Sequence, residues 1–341
     1  MTSKELVYNT LAFKNTDRAP RQLWTLPWAS FVYPEELKAI KEEFPDDIVE
    51  VVPDLKQPYQ VRKGDQYENG QYTDEWGCVF ENIHRGIIGE VKNPIVKDEE
   101  WEDVTNVTIP YELLSFDIEE VNQKIRTEYK DKFTLAGNTI RPFEQLQFIR
   151  GTENLYMDLC YRPEKFIDFM KVMHNFYCEL LEKWCKTDID GIFLMDDWGS
   201  QKSLLISPVM WEELFMPLYR DYIAIAKKYG KKAFMHSDGY TLDIIPKLID
   251  MGLDAFNTQI FCMGADKLEQ FKGKITFWGE VDRQHLLPNG SVEDIFNAVK
   301  SVHEKLYQNG GCIAQCEFGA GAKPENVREV FNAWNKLTSK K

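Results

Sequence analysis

The sequence predicts a closed (β/α)8 barrel, and three observations carry that prediction. Short β-branched or aromatic segments alternate with amphipathic helices, the pattern of a parallel sheet with helical crossovers. Eight such strand segments occur, the number that closes a barrel. The competing doubly wound sheet would carry a Gly-x-Gly-x-x-Gly turn after its first strand, and none is present. A chain of 341 residues fits one barrel with insertions, and no Gly/Ser/Pro-rich linker divides it, so 1–341 reads as a single domain.

The elements follow in order. An N-terminal extension leads to strands at 22–25, 48–52, 133–137, 191–195, 232–236, 255–258, 275–279 and 312–316. Residues 58–94 form a β-rich insertion before the third strand, containing Asp-Glu-Trp-Gly-Cys at 74–78. A helix over 110–129 leads to the third strand, and 163–186 carries apolar residues at helical spacing. Ser207-Pro208 opens a helix running to about Tyr229, with proline at the first helical position. Helices over 241–251 and 265–271 stop near Gly252 and Gly273. Ser-Val-Glu-Asp at 291–294 caps a helix to 307, and a last helix spans 324–337.

Composition narrows the function classes. A net charge of −14, from 41 Lys and Arg against 55 Asp and Glu, argues against nucleic acid as a partner, because phosphate binding needs a basic face. No apolar run approaches a membrane span and the first residues lack a signal-peptide core, so no membrane association and a cytoplasmic location are expected. Seven cysteines at irregular spacing do not suit a disulfide framework. Cys160, Cys178, Cys185 and Cys312 read as core thiols.

Chemistry belongs at the C-terminal strand ends. The third strand ends in Gly137-Asn138, the fourth in Asp196-Asp197-Trp198, the fifth in His236-Ser237-Asp238-Gly239 and the sixth near Gln259. The seventh ends in Trp278-Gly279-Glu280-Val281-Asp282 and the eighth in Cys316-Glu317. An imidazole, a carboxylate and a thiolate are competent zinc ligands, so His236, Asp238 and Cys316 form a candidate set with an open fourth position. A polar pair at a strand end with a buried thiol is the structural alternative. Asp196, Asp197, Glu280 and Asp282 are candidate catalytic carboxylates. Asp196 and Asp197 should face opposite ways, one into the site and one toward solvent or a helix cap. Trp24, Trp28 and Phe31 are a candidate aromatic wall for a substrate, with Asn138, Trp198 and Gln259 as further contacts. A packed cap over the barrel would use the same aromatics. Glu317 suits metal, substrate or a solvated rim equally.

These motifs resemble the uroporphyrinogen decarboxylase superfamily over nearly the whole chain. The matching pieces are Asp17-Arg18-Ala19-Pro20, Asp74-Glu75-Trp76-Gly77, Asp190 to Trp198, Ser207-Pro208 with Pro217, Phe234 to Gly239, Thr276 to Asp282, Gly310-Gly311 and Lys323 to Val327. Decarboxylases of the family carry an arginine-bearing segment after the first strand that holds substrate carboxylates. Residues 22–31 instead read Gln-Leu-Trp-Thr-Leu-Pro-Trp-Ala-Ser-Phe, which offers no such cations. The chain is more similar to the methyltransferase branch, which includes methylcobamide:coenzyme M methyltransferases working with corrinoid proteins. That branch holds zinc with His-x-Cys after the fifth strand and a Cys near the end of the eighth. His236 and Cys316 match two of those ligands, and Asp238 stands where the family has Cys. A carboxylate makes a harder site suited to oxygen. The resemblance therefore implies a zinc-dependent O-demethylase that moves a methyl group from a methoxylated small molecule, an aryl methyl ether, to a corrinoid (cobalamin-type) protein. Uroporphyrinogen-type decarboxylation and methylcobamide:thiol methyl transfer are the alternatives.

Overall fold

The computed structural model describes residues 1–137 and 140–339. The described residues form eleven strands: β1 Arg21–Thr25, β2 Ile48–Val51, β3 Gly70–Thr73, β4 Val79–Asn82, β5 Glu90–Val91, β6 Phe133–Ala136, β7 Gly191–Met195, β8 Lys232–Ser237, β9 Ala255–Thr258, β10 Thr276–Trp278 and β11 Cys312–Phe318. Eight of them form one parallel sheet in the order β1-β11-β10-β9-β8-β7-β6-β2, and β3-β4-β5 form a small antiparallel sheet inside the expected insertion. The order runs round a (β/α)8 barrel, as the alternation of strands and helices implied.

Alternate residues of each barrel strand face inward, and an inner cluster records which. It contains Ile48, Phe133, Leu135, Phe193, Phe234, Ala255, Trp278 and Ile313. Their chain neighbours pack outward in a larger cluster against the helices. Helix Ser3–Leu11, opened by a Thr2–Glu5 capping box, closes the floor by inserting Val7 and Leu11 into the inner cluster. The barrel therefore opens at the C-terminal ends of its strands.

Seven parallel ladders join the eight strands, and β1 and β2 meet edge to edge as a seam. Carboxylates pin its lower end. Arg21 N–H donates to Asp47 Oδ2 at 2.8 Å, Leu23 N–H donates to Asp46 Oδ1 at 2.6 Å, and Arg18 clamps Asp47 from 2.6 Å. Above these bonds a cleft opens between the two strands.

Helix positions depart from the sequence reading where proline or a cap intervenes. Residues 110–129 divide into a 3-10 turn, Tyr111–Leu114, and a helix, Ile118–Glu128, capped by the Asp117 side chain. The helix after Ser207 breaks into Pro208–Leu214 and Met216–Lys228, because Pro217 restarts it. Pro246 likewise places the next start at Ile245. Residues 265–271 are a short α-turn, Ala265–Leu268, continued as a 3-10 turn. Cys160 is exposed rather than core, while Cys185 and Cys312 are buried. No helix among the described residues is long and apolar enough to cross a membrane.

Candidate active site

Phe234 faces the barrel interior, so His236, two residues on, does too, and Asp238 follows at the strand's end. The turn beyond depends on Gly239. Its φ is +76°, and a Cβ there would meet the Gly199 oxygen at 2.1 Å. Phe193 and Met195 set the same parity on β7, which sends Asp197 inward.

The donor atoms of Asp197, His236 and Asp238 all lie within 4.8 Å of one another. His236 Nε2 is 3.5 Å from both Asp197 Oδ1 and Asp238 Oδ1. Its Nδ1 lies 2.6 Å from Asn257 Oδ1, and Asn257 donates its amide N–H to the Trp278 carbonyl. That amide orientation makes Nδ1 the donor and leaves Nε2 facing the two carboxylates. Burial pulls the imidazolium pKa down, but the hydrogen bond to Asp197 and the charges of Asp238, Asp197 and Glu280 push it up to about 10. Burial also works against ionised Asp197, and His236 outweighs it, holding that carboxyl below its usual range. The site's field thus favours a cation at Nε2.

A zinc ion suits this geometry. Tetrahedral bonds of about 2.0–2.1 Å separate donor atoms by roughly 3.3–3.4 Å, close to the spacing around Nε2. Asp238 Oδ1 is buried with no hydrogen-bond partner among the described residues, as a ligand atom facing its ion would be. The nitrogen and two carboxylate oxygens form a hard donor set.

Cys316 is not part of this cluster. Ile313 packs in the inner cluster and Glu317 lines the cleft beside His236, so Cys316 points to the helices, where it is fully buried. Burial holds its thiol well above the ordinary range, hence protonated. Asp197 is the third member of the group that could hold an ion.

Asp196 turns outward. Its carboxylate accepts the Phe143 and Glu144 N–H groups at 3.0 and 2.8 Å, the first turn of helix Pro142–Arg150, and the Tyr219 hydroxyl. Trp198 also faces out. It stacks on Phe143 at 4.2 Å and donates to Tyr219 at 3.0 Å, so it is part of the scaffold. Asp282 accepts the Gln284 and His285 N–H groups in a turn. Glu280 is buried, and burial raises its carboxyl to about 8 against the opposing charge of Arg283.

Of the expected aromatic wall, Trp24 lines the cleft, 5.3 Å from the His236 ring and edge-on to Trp278. Trp28 packs on Tyr33 instead, and Phe31 lies on the surface beneath Arg85 of the insertion. Gln259 accepts the Gly239 N–H at 3.2 Å and borders a second pocket of about 350 Å³ with Glu280 and Arg283. Asn138 lies outside the described residues.

Sequence reasoning passed over two groups. Arg283 donates to Asp238 and, at 2.7 Å, to Glu317, and approaches Glu280 to 3.6 Å. Its position beside the Glu280–Asp282 motif was the available signal. Glu50 lines the cleft and shares a strand face with Ile48, a parity visible in Ile-Val-Glu. The cleft holds about 700 Å³ and is lined by Trp24, Tyr67, Phe193, Met195, His236 and Glu317 among others.

Comparison with known proteins gives a family and a fold. A family model described as uroporphyrinogen decarboxylase (URO-D) matches residues 75–337. A methyltransferase from Methanosarcina mazei superposes with a TM-score of 0.68 at 14% identity, covering 99% of each chain. A 3-keto-D-glucoside 4-epimerase from E. coli reaches a TM-score of 0.37 at 13% identity, over 64% of this chain and 84% of its own. No curated protein matches the sequence.

Proposed function

The chain belongs to the uroporphyrinogen decarboxylase family, and from that premise we propose that it is a zinc-dependent O-demethylase that passes a methyl group from an aryl methyl ether to a corrinoid protein. One observation carries the reading: a metal-competent triad of Asp197, His236 and Asp238 opens onto an aromatic cleft. The described lining of that cleft has no lysine or arginine and includes Asp46, Glu50 and Glu317. A polycarboxylate such as uroporphyrinogen would meet like charge there, which disfavours decarboxylation. The whole-length likeness to a methyltransferase fold is in keeping with the proposal.

Asp197, His236 and Asp238 would hold the zinc, with Asn257 fixing the imidazole tautomer and Arg283 orienting Asp238. Bound zinc would supply Lewis-acid stabilisation of the negative charge that develops on the ether oxygen. Trp24 and Phe193 offer faces for the ring. The methyl group leaves the ether oxygen as a methyl cation equivalent and bonds to Co(I) on the corrinoid substrate, with phenolate as the leaving group. The corrinoid would approach through the open end of the barrel, in line with the bond that breaks.

The test is spectroscopic. Zinc-loaded protein, 2-methoxyphenol and reduced cobalamin are expected to convert Co(I) absorbance to that of methylcobalamin, and His236→Ala to abolish the change. Carbon dioxide release from uroporphyrinogen, with no methylcobalamin formed, would overturn the proposal.

A further inference from the structure

Strand β2 brings into the cleft a carboxylate that the proposed reaction leaves unused. Ile48 packs in the inner cluster, so Glu50 projects from the same face of the strand into the barrel. β2 lies three strands round the sheet from β8, and Glu50 lines the same cleft as His236. The barrel wall crowds Glu50, and this desolvation raises its carboxyl pKa, yet the open cleft leaves the side chain accessible to water. Among the described residues no side chain donates to it or pairs with it. A carboxylate that water reaches and no protein group engages is free to exchange that water for a donor on a ligand.

The surroundings define what could satisfy it. Asp46 and Glu317 add two more carboxylates to the lining. Arg283, the nearest guanidinium to Glu317, is already committed to Asp238, Glu280 and Glu317. Trp24 and Tyr67 contribute ring faces, which attract cations. An anionic group beside Glu50 would be repelled by these three carboxylates, and the cationic imidazole of the cleft, His236, is already engaged by Asp197 and Asp238, while a hydrogen-bond donor would pair with Glu50.

We propose that Glu50 selects the methyl donor: it accepts a hydrogen bond from a phenolic hydroxyl or a protonated amine on the substrate, so the enzyme takes neutral or cationic methoxyarenes and rejects methoxybenzoates. This rests on reading the cleft as the methyl-donor site.

The experiment is calorimetric titration of the zinc-loaded protein at neutral pH with 4-methoxybenzylamine, 4-methoxyphenol and 4-methoxybenzoate. The amine and phenol are expected to bind at least about tenfold tighter than the benzoate. Glu50→Gln should shrink that gap about tenfold with zinc content and melting temperature unchanged, and Glu50→Lys should reverse it. Equal affinities in the wild type, no binding of amine and phenol, or an ordering unmoved by both variants would overturn the proposal. Turnover with reduced cobalamin separates it from the reaction assignment. The expected binding order without methyl transfer sinks the reaction and keeps the selection. Methyl transfer from 4-methoxybenzoate as fast as from the phenol does the opposite.

Discussion

Asp196 and Asp197 are neighbours in the chain and serve different halves of the molecule. Asp196 faces the helices, where it ties down helix Pro142–Arg150 and Tyr219. Asp197 faces the barrel interior and joins His236 and Asp238. Cys316 and Glu317 divide the same way, the thiol into the helical packing and the carboxylate into the cleft. So do Asp46, which lines the cleft, and Asp47, which Arg18 clamps. Chemistry in this barrel is assigned by strand parity, one residue at a time. A chemically apt residue on the wrong face becomes scaffold.

Four measurements would break or sharpen that division. The largest effect is expected at the centre of the inner face. His236→Ala should lose zinc in elemental analysis and slow methyl transfer about a thousandfold, roughly 4 kcal/mol. Next come the paired aspartates. Asp196→Ala strands two helix N–H groups and a buried hydroxyl, so urea denaturation should show a loss of about 3 kcal/mol with zinc still bound. Asp197→Ala should reverse the pattern, with zinc affinity falling and stability changing by only about 1 kcal/mol. Matching losses of stability in the two variants would erase the distinction.

The third measurement uses pH. Burial lifts the Asp46 carboxyl to about 6, while Arg18 overcomes the burial of Asp47 and holds it below its usual range. A pKa raised by folding stabilises the fold below about pH 4, and that contribution is lost as pH climbs through about 6. Asp46→Asn, neutral throughout, should therefore be more stable than wild type at pH 8 by on the order of 2 kcal/mol and lose that advantage at pH 4. Parallel stability profiles for the two proteins would show that Asp46 is not strained in its charged form. The smallest effect belongs to Cys316→Ala, which should cost about 1 kcal/mol of packing and leave zinc content unchanged. Zinc loss there would return the thiol to the metal.

Much of this was legible beforehand. The eight barrel strands fall within a residue or two of their expected bounds, because each is a short apolar run between turn signals. His236 and Asp238 were legible from their position at a strand end, and the opposite facing of Asp196 and Asp197 from their adjacency. What sequence could not supply was the face. Along Cys312–Phe318 the alternation separates Ile313, Gln315 and Glu317 from Cys312, Ala314 and Cys316, but barrel strands are covered on both sides, so the pattern does not say which series faces the interior. Trp198 and Phe31 were misplaced for related reasons. An aromatic near a strand end serves a cleft or a helix interface equally well until its direction is known.

The floor of the barrel joins opposite ends of the chain. Val7 and Leu11 share the inner cluster with Ile313, Gly311 N–H donates to the Thr10 carbonyl at 3.0 Å, and β1 pairs along its whole length with β11. These N-terminal residues thus wait for partners about three hundred positions later in the chain, and long-range closure of this kind is slow. The sheet cannot close between β1 and β10 until the last strand emerges. A ribosome-bound chain that stops short of β11 should be digested by protease far more readily than the released protein.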